Sequence, residues 1–297
     1  MFVETQKLIV FIDSSKATHF RSNDDFDVDI PNKVMTCDIN EHIELEVSEF
    51  TCKRDFYAVQ SFNSSFSIFY NGADHLYTLT TGNPTATSLD TEIKQDFEAE
   101  FSTANSHSDN EVFSVSFSQY TGRITISSTF SGSVPSDIAL NLDVANSAFE
   151  VMGFSKKKHN FTINSQSITL TGDRVINVGG ETNIFLRTSL VSSNVNNTKN
   201  DGLQISNIIA KFPILTAYYS NITFFNTNKL FTSKIISKNL NSFRIRLTNE
   251  NDELIGLQSN SMMTFTFRKY RKVEDRTEEY LRDIANINKL KMLKKNI

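Results

Sequence analysis

Tryptophan is absent from this 297-residue chain, cysteine occurs twice and glycine only ten times. Two thiols, Cys37 and Cys52, build no disulfide framework, which suits folding in a reducing compartment. The lack of indoles, on which sugar rings often stack, weighs mildly against a sugar-binding surface. No GxSxG elbow, Walker loop or GxGxxG after a strand is present, so the common catalytic signatures are missing. The histidines at 19, 42, 75, 107 and 159 show none of the HxxxH, HExxH or CxxC spacings by which zinc sites are known. The first apolar run, Leu8–Ile12, follows Lys7 and stops at Asp13, too short for a signal sequence or a membrane span. These absences predict a cytosolic product, or one held in particles assembled there. They predict no stable membrane insertion, no catalytic residues, no cofactor and no metal.

What the chain does have is phenylalanine, 25 of them beside 8 Tyr. Phe buries a large area and carries no polar atom to satisfy, so most of these belong in a core or an interface. Charge is unevenly placed. Residues 268–297 hold ten Lys/Arg against five Asp/Glu, a local +5 within a chain of net −4. Such asymmetry marks a tail that meets an acidic partner, against the plainer reading of a solvated helix face.

Periodicity divides the chain in four. Over 1–70, Lys7–Ile12 reads as a buried strand. Phe26, Val28 and Ile30 alternate with Asp27 and Asp29, Ile43, Leu45 and Val47 alternate with polar residues, and Phe66, Ile68 and Tyr70 follow. Over 71–160 the character changes. Ser88 is a candidate N-cap for a helix carrying Leu89, Ile93, Phe97 and Phe101 on one stripe. Phe113–Phe117 and Ile124–Ile126 form a hairpin about Gly122, and a second short helix is expected near Ala145–Phe154. Over 161–272 short strands resume, at Ile168–Leu170, Val175–Val178, Ile184–Leu186, Ile205–Phe212, Ile222–Phe225, Phe243–Leu247 and Met263–Phe267. Many short strands with few helices predict an all-β sandwich or jelly roll, interrupted by a small α+β insertion domain.

Residues 273–297 then form an amphipathic basic tail. Tyr280, Leu281, Ile284, Ile287, Leu290 and Leu293 recur at spacings of three and four, and Lys289, Lys291, Lys294 and Lys295 crowd the end. Acids early and lysines late is the order that the helix dipole prefers. These ten residues are the candidate partner-binding set. The tail is expected to face the interior of an assembled particle and dock on a neighbouring protein or an acidic internal component. Its lysines would add a non-specific attraction to nucleic acid. Folding back on its own subunit is the competing reading.

Two other groupings invite chemistry. Asp24, Asp25, Asp27 and Asp29 are the densest acidic cluster, but they lack the glycine and terminal Glu of an EF-hand loop, and a solvated strand face is expected. Cys37 and His42 are near in sequence, but an inert cysteine is the expectation.

Three stretches, taken together, resemble the penton and minor capsid proteins of virophages and polinton-like viruses. They are IDSSKATHFRSNDDFDVDIP (Ile12–Pro31), FEVMGF (Phe149–Phe154, with Met152 where that family has leucine), and IFLRTSLVSSNVNN followed by ISNIIAKFPI (Ile184–Asn197 and Ile205–Ile214, with Phe212 for isoleucine). The resemblance implies a single jelly roll with an inserted domain that projects outward. It implies synthesis in host cytoplasm and assembly as a homopentamer at the fivefold vertices of an icosahedral double-stranded DNA virion, beside a double jelly-roll major capsid protein. A jelly-roll receptor- or carbohydrate-binding head of a viral fibre is the alternative.

Overall fold

The structure is a computed structural model that describes residues 2–30, 34–102, 111–130, 132, 134, 137–191, 194–198, 202–228 and 231–272. The chain divides into two compact units. One contains the residues through Asp55 and those from Asn183 onward; the other is Phe56–Thr182. In chain order the first unit opens with strands Phe2–Asp13 (β1), His19–Ser22 (β2), Asp25–Asp29 (β3) and Glu41–Lys53 (β4). The second unit holds Ser65–Tyr70 (β5), Ala73–Thr78 (β6), helix Ala86–Glu100 (α1), Phe113–Ser118 (β7), Arg123–Thr129 (β8) and Ala139–Asn141 (β9). It continues through Lys158–Asn160 (β10), Thr162–Asn164 (β11) and Ser167–Thr171 (β12). The first unit resumes with Asn183–Thr188 (β13), Asn194–Thr198 (β14), Gly202–Ser206 (β15), Ile208–Pro213 (β16) and Asn221–Phe225 (β17). Thr232–Lys234 (β18), Ser242–Thr248 (β19) and Ser261–Lys272 (β20) complete it.

Two antiparallel sheets make the first unit, in the orders β1-β20-β4-β17 (with β18 also on β4) and β16-β13-β19-β3-β2. Setting aside β2, β18 and the small β14–β15 ribbon, eight strands remain, and their pairing is nested. The first pairs with the eighth (β1 with β20), the second with the seventh (β3 with β19), the third with the sixth (β4 with β17) and the fourth with the fifth (β13 with β16). Alternation sends one face of each strand inward. Ile43, Leu45, Val47 and Phe50 on β4, and Phe265 and Phe267 on β20, meet Phe212 on β16 and Phe243 on β19. Phenylalanine carries the join between sheets. Phe50 stacks on Phe212 with centroids 4.2 Å apart and ring planes 5° from parallel, and Phe243 lies 6.0 Å from Phe265.

The second unit has its own core. Sheets β10-β9-β5-β6 and β11-β12-β8-β7 enclose it with α1. Thr85 caps α1 by accepting from the Ser88 backbone N–H, while the Ser88 hydroxyl accepts from the Thr85 N–H, a reciprocal capping box. Ser88 therefore supports the cap rather than being it, and the helix starts earlier than its sequence suggests. Leu89, Ile93, Phe97 and Phe101 are all fully buried, the stripe that their spacing predicts. The β7–β8 hairpin turns at Gly122, whose φ of +68° suits glycine.

Other expectations change. The boundaries drawn at 71 and 160 lie inside the second unit. Ser65–Tyr70 pairs with β6 and β9, and Ser167–Thr171 pairs with β8, so both strands belong there. Val175–Val178 is not a strand, and Ala145–Phe154 is a chain of turns rather than a helix, with Asn146 at a φ of +52°. Within it Gly153 takes a φ of +74°, and a Cβ there would sit 2.9 Å from both the Arg174 carbonyl oxygen and the Ile176 nitrogen. That close crossing explains why glycine stands in the FEVMGF stretch. The tail, 273–297, lies outside the described residues.

Candidate interaction surface

Strand β1 is the largest departure from the sequence reading. Its apolar run looked buried on both faces, yet it forms a sheet edge, with β20 as its one strand neighbour among the described residues. Only Ile12 is fully buried. Phe11 is 81% exposed, Phe2 54%, Ile9 46% and Val3 43%. The register explains the split. Leu8, Val10 and Ile12 lie opposite Phe267, Phe265 and Met263 of the core face, so Ile9 and Phe11 stand on the other face. One row on that outer face runs Phe11–Thr264–Glu49–Phe225 across four strands, with Phe225 also 62% exposed. A groove of about 570 Å³ opens here. Phe11, Asp13, Glu49, Thr51, Met262 and Thr264 line it, together with Lys16–Thr18, Val28 and Asp29. A long edge strand carrying large apolar side chains is a surface that proteins normally cover.

The acidic cluster is a solvated face only at Asp29, which is exposed; Asp24 and Asp25 are buried and Asp27 is half-buried. Asp24 is 2% exposed and accepts from the Ser22 hydroxyl and from the backbone N–H groups of Gly256 and Leu257. Asp25, 5% exposed, binds the Arg244 guanidinium, and Asp27 accepts two bonds from Arg21. The Arg21 bond is the main influence holding the Asp27 carboxyl below its usual range. Arg187, also buried, reaches the Thr248 hydroxyl at 2.8 Å and Asp252 at 3.0 Å. Asp24, Asp25 and Arg187 thus each have partners, which offsets the cost of burying them.

The thiols and His42 are likewise committed. Burial pushes the Cys52 thiol up to about 12 and raises that of Cys37, so neither is poised as a nucleophile. His42 stacks on Tyr270 at 5.3 Å, meets the Phe2 ring edge-on at 4.8 Å, and lies 3.3 Å from Glu44. Among the described residues no group of His, Cys, Asp and Glu is arranged to hold a metal ion. No helix among them is long and apolar enough to cross a membrane. The ten tail residues proposed from sequence as partner-binding, Tyr280, Leu281, Ile284, Ile287, Lys289, Leu290, Lys291, Leu293, Lys294 and Lys295, lie outside the described residues.

One strained group is found in the second unit. Glu92, Asp96 and Glu100 follow at four-residue steps along α1. Glu92 accepts from the Thr80 N–H, and Glu100 accepts from the Tyr77 hydroxyl at 2.7 Å and lies 3.5 Å from His75. Asp96 has a buried carboxylate oxygen without a partner. Burial, and then the Glu92 charge, raise its pKa to about 6. A raised carboxyl pKa means that the folded state binds the proton more tightly, so stability is lost as pH rises from about 4 through 6. Asp96→Asn is expected to raise stability at pH 7.5 by about 1–2 kcal/mol after allowance for solvent screening, and to gain nothing at pH 4. Thermal melts of both proteins at the two pH values check this.

Comparison with known proteins completes the description. No protein-family model matches the chain, and no curated protein matches it. Among solved structures it is similar to the mavirus penton protein at 14% identity and a TM-score of 0.42, over 92% of this chain and 100% of that one. It is also similar to a chain in the structure of the Sputnik virophage, at 13% identity and a TM-score of 0.36, over 91% and 98%.

Proposed function

We propose that this protein is a structural subunit of a viral capsid, a single jelly roll interrupted by an inserted domain, that forms pentamers at the fivefold vertices of an icosahedral particle. Nested pairing of first strand with last, second with seventh and so inward is the winding of a jelly roll, and the order of the two sheets supports that reading. Residues 56–182 then enter between its third and fourth strands as the inserted domain. Jelly rolls serve enzymes, lectins and shells alike, so the fold does not decide the role.

The observation that carries the assembly role is β1. A chain that leaves Phe2, Ile9 and Phe11 in water on one edge strand is built to have them covered. Asp25, Asp27 and Arg187 are paired with charges of the same subunit. A closed ring needs heterologous contacts, one lateral face against a different one, and the centres of such contacts are poor in charge. Copies of itself and a double jelly-roll major capsid protein are the partners, and the virion is the location. Co-expression with the major capsid protein tests this. Gold-labelled protein is expected at particle vertices alone; label spread over the facets, or absent from particles, overturns the reading.

A further inference from the structure

Strand β1 has a counterpart at the far side of its sheet. There β17 has β4 as its one strand neighbour among the described residues, and it too carries an exposed ring, Phe225. The two edges match in direction. β1, β20, β4 and β17 are each antiparallel to the next, so β17 runs opposite to β1. Rotation about an axis along the strands leaves directions unchanged. A second copy turned beside the first therefore sets its β1 antiparallel to this β17.

Height and area match as well. Phe11 and Phe225 are the two ends of one row across the sheet, and Ile9 and Thr232 are the ends of the row Ile9–Thr266–Glu46–Thr232. A copy placed level brings its Phe11 against Phe225 and its Ile9 against Thr232. With Phe11 81% and Phe225 62% exposed, covering both rings removes roughly 200–350 Å² of the ~1,600 Å² that a standard interface buries in total. That is the apolar centre of an interface, which the backbone groups of two bare edges extend. We infer that β1 of one subunit pairs antiparallel with β17 of the next, so that this sheet runs on from copy to copy with a Phe225–Phe11 pair at each junction. The inference rests on the reading of the chain as a ring-forming subunit, and names the two edges that meet. Pairing of β1 with β1 would instead be isologous, closing at two copies and leaving Phe225 bare. One level pair is unfavourable: Lys7 faces Lys234, the ends of the row Lys7–Arg268–Glu44–Lys234.

Engineered cysteines in the full chain test it, in a Cys37→Ser background with Cys52 buried and inert. Within one molecule positions 11 and 225 lie three strand spacings apart, about 14 Å, too far for a disulfide. Any bond between them joins two molecules. Mixed under mild oxidation, the single variants Phe11→Cys and Phe225→Cys should form a dimer containing one of each, about tenfold faster than either links to itself. The double variant should give a ladder that ends at five. Lys7→Glu, which replaces the one like-charge pair by an opposite one, should lower the concentration at which the ring forms several-fold. A fivefold species by light scattering that forms none of these bonds overturns the edge pairing and leaves the ring standing. Phe11→Cys linking chiefly to itself overturns it in favour of an isologous edge. A protein that stays single at every concentration, with or without the major capsid protein, overturns both readings.

Discussion

Replacing residues 56–182 with a flexible linker leaves a soluble, cooperatively folding β protein. The reason is that each unit completes its own core. One cluster of buried hydrophobic residues runs from Val59 through Leu170, and the inter-sheet stack of Phe50, Phe212, Phe243 and Phe265 is made wholly by the other unit. After excision the linker must carry the chain from the end of β4 to the start of β13, which lie in facing sheets about 10 Å apart. Ten Gly/Ser residues span roughly 16–19 Å and suffice. Circular dichroism with a single sharp urea transition is the expected result. An aggregated product, or one lacking a transition, would show that the two units depend on each other to fold.

Phe212→Ala should unfold the first unit more readily than any surface change. The ring is completely buried, with Phe50 stacked against it at 4.2 Å, Phe224 at 5.0 Å and Phe231 edge-on at 6.2 Å. Truncating such a residue costs about 3–5 kcal/mol, the transfer of the ring plus the cavity left behind. Phe212→Ile, the residue expected here from the family resemblance, keeps part of the volume and should lose less than half as much. Urea midpoints with unchanged slope check the ranking. If isoleucine proves as damaging as alanine, the aromatic stack rather than the filled volume is what the site requires.

Parts of this architecture were legible because burial leaves a period. Phe26, Val28 and Ile30 alternate, and the structure sends them to one face; Leu89, Ile93, Phe97 and Phe101 recur at helical spacing, and all are buried. What periodicity cannot carry is the identity of the neighbour. Phe66, Ile68 and Tyr70 alternate as any strand of the first unit does, and pairing with β6 and β9, where Ile68 lies opposite Leu140 some seventy residues on, assigns them to the second. Asp25 looked solvated for the same reason, since its partner Arg244 lies far along the chain. Strand β1 misled in another way. A continuous apolar run fits a strand buried on both faces, but it equally fits an edge strand whose outer face awaits a partner. The candidate surface was thus hidden in the sequence as apparent core, while the basic tail that the sequence singled out lies outside the described residues.

The mass of the purified full-length protein in solution tests the central claim most directly. From a subunit of 33.7 kDa, a vertex protein should give a stable species near ~170 kDa by light scattering, the fivefold closed ring. Phe11→Glu at the exposed edge is expected to shift that species toward the single subunit. A protein that stays at 33.7 kDa at high concentration, with and without the major capsid protein, would contradict the account.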